Sequence, residues 1–177
     1  VVVPERYRHT AWRPSIEAAA LGIAQADYGV DGAIGMGITA ARLLGQLPRA
    51  PGTAQVAIAG QRPALDTTAG RIRFVTRRLT TLDTQRAETE IGSVWITTPE
   101  QTILDLADKP ERIPLSIAET RDAIVHMTGD ADWLLITDLA RRQRKGPAAI
   151  RAARVAGVDA PLALSRDVDM KGLVPTI

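Results

Sequence analysis

A chain of 177 residues with 45% hydrophobic and 24% charged side chains has the make-up of one folded domain, alone or with a small helical appendage, which excludes a disordered polypeptide. The absence of cysteine removes disulfides, thiolate metal sites and thiol nucleophiles together, and an aromatic share of 3% is too small to build a stacking platform for single-stranded nucleic acid. A net charge of +2 steers weakly, so affinity for nucleic acid has to come from a local patch; no apolar run reaches the roughly 18–20 residues of a membrane span, so a cytoplasmic location without a membrane partner is expected.

Residues 1–14, with Pro4, Glu5, Arg6, Arg8, His9, Arg13 and Pro14, lack periodicity and read as a linker leading into the fold. The chain opens on Val1-Val2-Val3 without methionine, so a preceding part of a longer product is expected. A helix then begins. Ser15 is its N-cap, Glu17 complements its dipole, and Ile16, Ala19, Ala20, Ile23 and Ala24 fall on one buried stripe that Gly29 can end. Residues 32–37 are glycine-rich and read as a loop before a short alanine-lined helix, Thr39-Ala40-Ala41-Arg42-Leu43-Leu44-Gly45, closed by its glycine. Strand character starts at residues 53–59, where Val56 and Ile58 alternate with their neighbours. It continues over 71–78, with Ile72 and Phe74 on one face and Arg71, Arg73 and Val75 on the other. Residues 89–97, carrying Ile91, Val94, Trp95 and Ile96, form a third strand in which Gly92 is a bulge.

The clearest local signal follows. Thr98-Pro99-Glu100-Gln101 supplies a hydroxyl N-cap, proline at N1, an acid at N2 and Gln at N3, a capping box that opens a helix to about residue 108 with Ile103, Leu104 and Ala107 inward. Beyond Pro110 and Pro114 the pattern is helical. Ser116 and Glu119 form a second box, and Asp130 caps a helix carrying Trp133, Leu135, Ile136, Leu139 and Ala140. Gly146-Pro147 separates it from a last helix ending near residue 156, and residues 158–177 alternate Asp with apolar side chains in an irregular tail. Together these elements predict an α+β domain over residues 15–157: a small, mostly antiparallel sheet flanked by helices, with a helical C-terminal third.

Groups that carry chemistry are sparse. His9 and His126 stand far apart and outside any H-x-E or H-E-x-x-H spacing, so no metal and no cofactor are expected. No serine lies in a nucleophile elbow, and residues 32–37 have neither P-loop nor dinucleotide-binding spacing. A metal-dependent nuclease would carry an acid-x-Lys pair on a strand; the nearest triplet, Asp169-Met170-Lys171, lies in the tail, which leaves Asp66 and Glu88 as the acids that alternative would use. Two basic clusters are candidate surfaces for nucleic acid or a partner: Arg71, Arg73, Arg77 and Arg78 on a strand, and Arg141, Arg142, Arg144, Lys145, Arg151 and Arg154 at the junction of the last two helices.

The run Thr97-Thr98-Pro99-Glu100-Gln101-Thr102-Ile103-Leu104-Asp105-Leu106-Ala107 resembles the T-P-E-R-T-hydrophobic-hydrophobic-D signature of the AbiEi family of antitoxins. Residues 39–45 resemble that family's upstream S-A-A-x-x-x-G helix, and with Pro14-Ser15-Ile16-Glu17-Ala18-Ala19-Ala20 the resemblance spans residues 4–156. Gln101 departs from the family's usual Arg. The resemblance implies the antitoxin domain of a bacterial type IV toxin–antitoxin pair, without enzymatic activity, directed against a nucleotidyltransferase-like toxin. It also implies an N-terminal winged helix that binds operator DNA, either missing with the start of the chain or absent from a short variant. Thr98, Glu100, Gln101, Thr102 and Asp105 then carry two readings. In one, Thr98 and Gln101 cap the helix, Glu100 serves its dipole and Asp105 pins it against the sheet; in the other, their oxygens form a partner surface. A transcription regulator without a toxin partner is a further alternative beside the nuclease.

Overall fold

The computed structural model describes residues 13–159; His9, the Asp169-Met170-Lys171 triplet and most of the leading linker and of the tail lie outside the described residues. The fold is α+β, and the chain divides into two compact units with the break between Thr98 and Pro99.

The first unit is a six-stranded sheet with two helices. Helix α1 (Ile16–Tyr28) starts where the Ser15 hydroxyl accepts the Ala18 N–H at 3.2 Å, and it ends at Gly29, whose φ is +80°. After it come β1 (Ile34–Gly35), α2 (Ile38–Leu43), β2 (Thr53–Ile58), β3 (Leu65–Thr67), β4 (Gly70–Thr76), β5 (Thr84–Thr89) and β6 (Gly92–Thr97). The strands lie in the order β3-β4-β2-β1-β6-β5. The sheet is mixed: β3–β4, β2–β1 and β6–β5 pair antiparallel, whereas β4–β2 and β1–β6 pair parallel.

Two expectations are corrected here. Residues 32–37 are not merely a loop, because Ile34 and Gly35 form β1 at the middle of the sheet, paired to Ala57 and Val56 on one side and to Trp95 and Ile96 on the other. A strand of two residues has no periodicity to read, and it exists only because neighbours from distant sequence supply both hydrogen-bonding edges. The second correction concerns residues 89–97, which hold the end of a hairpin rather than one bulged strand. β5 runs to Thr89, and Gly92, at φ +122°, closes the turn into β6. The Thr89 hydroxyl donates to the Gly92 carbonyl at 2.8 Å, and in the β3–β4 hairpin the Thr67 hydroxyl donates to the Gly70 carbonyl at the same distance. Thr-x-x-Gly is thus the turn device of both hairpins, with glycine taking the positive φ that a two-residue loop requires.

Gly70 is constrained further. A Cβ added there would lie 2.3 Å from the Gly52 carbonyl oxygen, which accepts the Arg71 N–H at 2.9 Å. Gly70→Ala is therefore expected to cost about 1–3 kcal/mol by overpacking, read as a lower urea midpoint at unchanged m-value.

The main core lies on the face that α1 and α2 cover. Ala20, Leu21 and Ala24 from α1 and Ala40 from α2 pack on Val56, Ile58, Ile72, Val94 and Ile96. Of the stripe expected on α1, Ile23 is only partly buried, and Leu21 is fully buried in addition. A smaller cluster, Ile34, Met36, Ala57 and Leu82 with Val75 and Trp95 against it, occupies the other face.

The second unit is all helical: α3 (Pro99–Asp108), α4 (Ile117–Thr128), α5 (Trp133–Arg142) and α6 (Gly146–Ala156). Helix α3 is its axis, packed by the other three and buried from Gln101 through Ala107. Alanines 148, 149, 152 and 153 give α6 a small buried face, which lets backbones approach closely. The Ser116–Glu119 box at α4 is present in both directions, at 3.1 and 3.0 Å. The N-cap of α5 is Asp132 rather than Asp130: its carboxylate accepts the Leu134 and Leu135 N–H groups at 2.8 and 3.2 Å. Either aspartate satisfies the local pattern, and the chain path decides which one stands at the first turn.

Candidate functional site

The motif residues at the start of α3 are distributed among several tasks. Thr98 closes β6: its hydroxyl donates to the Asp83 carboxylate at 2.8 Å and its N–H to the Asp83 carbonyl at 3.1 Å. Glu100 accepts the Asp132 N–H at 3.2 Å and so ties the first turn of α3 to the start of α5. Gln101 is fully buried; its amide exchanges hydrogen bonds with Gln143 in both directions and donates to Asp105 at 3.2 Å. That arrangement replaces the expected reciprocal cap on Thr98, because the side chain turns along the helix toward the end of α5. Thr102 is buried within α3.

Asp105 does not pin α3 to the sheet, as the sequence suggested. Its carboxylate, 1% exposed, accepts from the Lys145 ammonium at 2.8 Å, and the same ammonium reaches Asp108 at 3.3 Å. Lys145 therefore leaves the predicted basic surface. It is a buried cation, 9% exposed at the side chain, in the turn between α5 and α6. Gln101, Asp105, Asp108, Gln143 and Lys145 form one polar clasp that joins α3 to that turn. Gln143 and Asp108 were not singled out by sequence reading, since a lone amide inside Arg141-Arg142-Gln143-Arg144-Lys145 has no local pattern to mark it.

The rest of the helical basic cluster also separates by environment. Arg151 donates to the carbonyls of Ala107, at 2.8 Å, and of Asp108, which satisfies the exposed end of α3 and takes Arg151 off the surface list as well. Arg141, Arg142, Arg144 and Arg154 remain exposed. Arg142 pairs with Asp138 at 2.8 Å across one helical turn, an exposed contact worth about 0.3–0.5 kcal/mol. Arg144 stands at φ +57°, a left-handed conformation uncommon for a residue with a side chain, and the Lys145 N–H closes the turn on the Ala140 carbonyl at 2.7 Å.

On the sheet, Arg71 and Arg73 stand opposite Thr53 and Gln55 of β2, while Arg77 and Arg78 follow the end of β4. Arg71 pairs loosely with Asp66 at 3.5 Å, both side chains being exposed. Two arginines outside the predicted cluster also stack on aromatic rings: Arg62 lies 4.3 Å from the Phe74 ring and Arg86 lies 4.5 Å from that of Trp95.

The acids of the nuclease alternative do not converge. Asp66 is on β3 and Glu88 on β5, the two opposite edges of the six-stranded sheet, about 24 Å apart at 4.7–4.9 Å per strand. Among the described residues no three His, Asp or Glu side chains are placed to hold one metal ion, His126 is exposed, and no helix is long and apolar enough to cross a membrane. Glu88 borders an open depression of about 360 Å³ together with Glu17, Arg42 and Glu90; there Glu17 is buried and pairs with Arg42 at 3.3 Å.

Comparison with known proteins agrees with this geometry. The chain is similar to the crystal structure of the RV2827C protein from Mycobacterium tuberculosis, with a TM-score of 0.57 and 15% identity, over 91% of this chain and 59% of that one. At that identity the likeness is one of fold, and this chain spans well under two thirds of the other protein's length. A search of curated proteins gave no match. The model of the AbiEi antitoxin C-terminal domain matches residues 33–154, which run from just before β1 into α6 and include the whole polar clasp. The chain belongs to the AbiEi family of antitoxins, through its C-terminal domain.

Proposed function

We propose that this protein neutralises a nucleotidyltransferase-like toxin as the antitoxin of a bacterial type IV pair, acts in the cytoplasm by binding without turnover, and regulates its own promoter. The observation that carries this reading is the family match over residues 33–154; an antitoxin domain implies a toxin in general. Two features support binding over bond breaking. The motif residues Gln101 and Asp105 are occupied in holding helices together, and the acids nearest to a nuclease pattern stand on opposite sheet edges. Operator recognition is assigned to a winged helix ahead of residue 13, with the exposed arginines adding sequence-independent phosphate contacts.

Coexpression with the toxin-like reading frame beside the gene tests the reading, and restored growth is the expected result. A folded, soluble chain that fails to restore growth would overturn it. Among surface residues, the triple change Arg141→Glu, Arg142→Glu, Arg144→Glu is expected to weaken protection or DNA retention while each substitution moves stability by no more than about 0.5 kcal/mol. Magnesium-dependent cleavage of plasmid or tRNA that disappears in Asp66→Ala or Glu88→Ala would favour the nuclease instead.

A further inference from the structure

Beside the clasp, the helical unit carries a groove that the reading above does not use. Leu106, Pro110, Ile117, Ile124 and Val155 line a space of about 180 Å³ between α3, α4 and α6, large against the roughly 30 Å³ share of a water molecule. Ile117 at its edge is 82% exposed. Three polar groups around it are unsatisfied. The Thr120 hydroxyl, on a residue only 3% exposed, has no hydrogen-bond partner, although the hydroxyls of Thr128 and Thr137 both donate back to the preceding turn. Arg121 and Arg154 flank the groove, and neither is ion-paired among the described residues. A site that is apolar along its floor, with one orphan hydroxyl and two unneutralised cations at the rim, fits an apolar segment with acids along one side.

The chain carries such a segment. Asp167-Val168-Asp169-Met170 alternates acid with apolar residue, so a strand-like path sets both carboxylates on one side and both apolar side chains on the other. Methionine suits an irregular gap. The exit from α6 favours this occupant: Gly157 is left-handed at φ +70° and the Val158 N–H bonds back to the Ala153 carbonyl at 2.9 Å, which reverses the chain beside Arg154 and Val155 on the groove wall. From residue 159 the eight steps to Asp167 reach about 26–29 Å at 3.3–3.6 Å each, more than the roughly 18 Å length of a 12-residue helix such as α4. We propose that the groove between α3, α4 and α6 is the seat of this chain's own residues 167–170, with Val168 and Met170 on the apolar floor and Asp167 and Asp169 against Arg121 and Arg154. The tail then acts as a removable cover over an apolar surface, a role independent of which toxin the protein meets.

The absence of cysteine makes the test direct. A nitroxide is attached to Ser165→Cys in the full chain, and isoleucine methyl signals are followed by NMR. The Ile117 and Ile124 signals are expected to be lost relative to Ile58, to return in the double variant Arg121→Glu, Arg154→Glu, and to be lost again when Asp167→Arg and Asp169→Arg are added. Dispersed Ile58 and Ile72 signals report an intact fold, and Arg121→Gln with Arg154→Gln replaces the reversal if that fold is lost. Groove signals that survive in the labelled parent chain would overturn the proposal. So would a loss indifferent to the arginine changes, or one seen only when label and isotope are on different molecules, which would make a second copy the occupant.

Discussion

Lys145→Ala is expected to cost about 3–5 kcal/mol, the range for removing one partner of a buried ion pair. Asp105, 1% exposed at its side chain, would lose the ammonium at 2.8 Å, and desolvation of that carboxylate would no longer be offset. For a chain of this size the melting temperature falls about 2–4 °C per kcal/mol, so a drop of roughly 10 °C is expected in a thermal scan. The contrast is Arg142→Ala, which breaks an exposed pair of the same length with Asp138 and should change stability by less than about 1 kcal/mol. Replacing both partners, Lys145→Met with Asp105→Leu, should recover most of the loss, because an apolar pair needs no charge compensation. Asp105→Ala alone is expected to lower stability and antitoxicity together; loss of antitoxicity at unchanged melting temperature would instead place Asp105 on a partner surface. A Lys145→Ala chain within about 1 kcal/mol of the parent would show that the clasp is not a buried charge pair.

Ile96→Ala carries the second large effect, about 2–5 kcal/mol for deleting a fully buried isoleucine. Ile96 pairs with Gly35 across the β1–β6 ladder, and its side chain belongs to the main core with Leu21, Val56 and Ile58. The same side chain limits Gly35. A Cβ there would meet Thr39 Cγ2 at 3.0 Å, Ile96 Cγ2 at 3.1 Å and Leu21 Cδ1 at 3.4 Å, so Gly35→Ala is expected to cost about 1–3 kcal/mol by overpacking. Ile96→Ala removes one of those contacts and opens space on the same face. The double variant should therefore be less destabilised than the sum of the single changes, with a coupling of about 0.5–3 kcal/mol in a urea double-mutant cycle. Additive behaviour would show that the backbone at the sheet centre relaxes freely.

Much of the architecture was legible because it is written locally. Ser15, Ser116 and Glu119 stand one to four residues from the groups they cap, and alternation over residues 71–76 marks β4 before any partner is known. The family resemblance rested on the same kind of short-range pattern around residues 97–107, and the match over 33–154 bears it out. What failed locally had its cause far away in sequence. β5 carries Thr84, Gln85, Arg86, Ala87, Glu88 and Thr89, with no apolar alternation, and is a strand because β6 pairs with all six residues. Asp130 and Asp132 are equivalent caps until the path of the chain selects one.

By itself the sequence determined the class of fold, the family, the capped helices and the absence of thiol chemistry, since each follows from composition or from contacts within about one helical turn. Tertiary structure alone decided that Lys145 is a buried structural cation and Arg144, in the same run, an exposed one. It decided too that Asp66 and Glu88 stand on opposite edges of the sheet. The reason is physical: burial and charge pairing are set by side chains 40 or more residues away, as Lys145 is from Asp105, and the fate of a charge depends on which of them arrives to neutralise it.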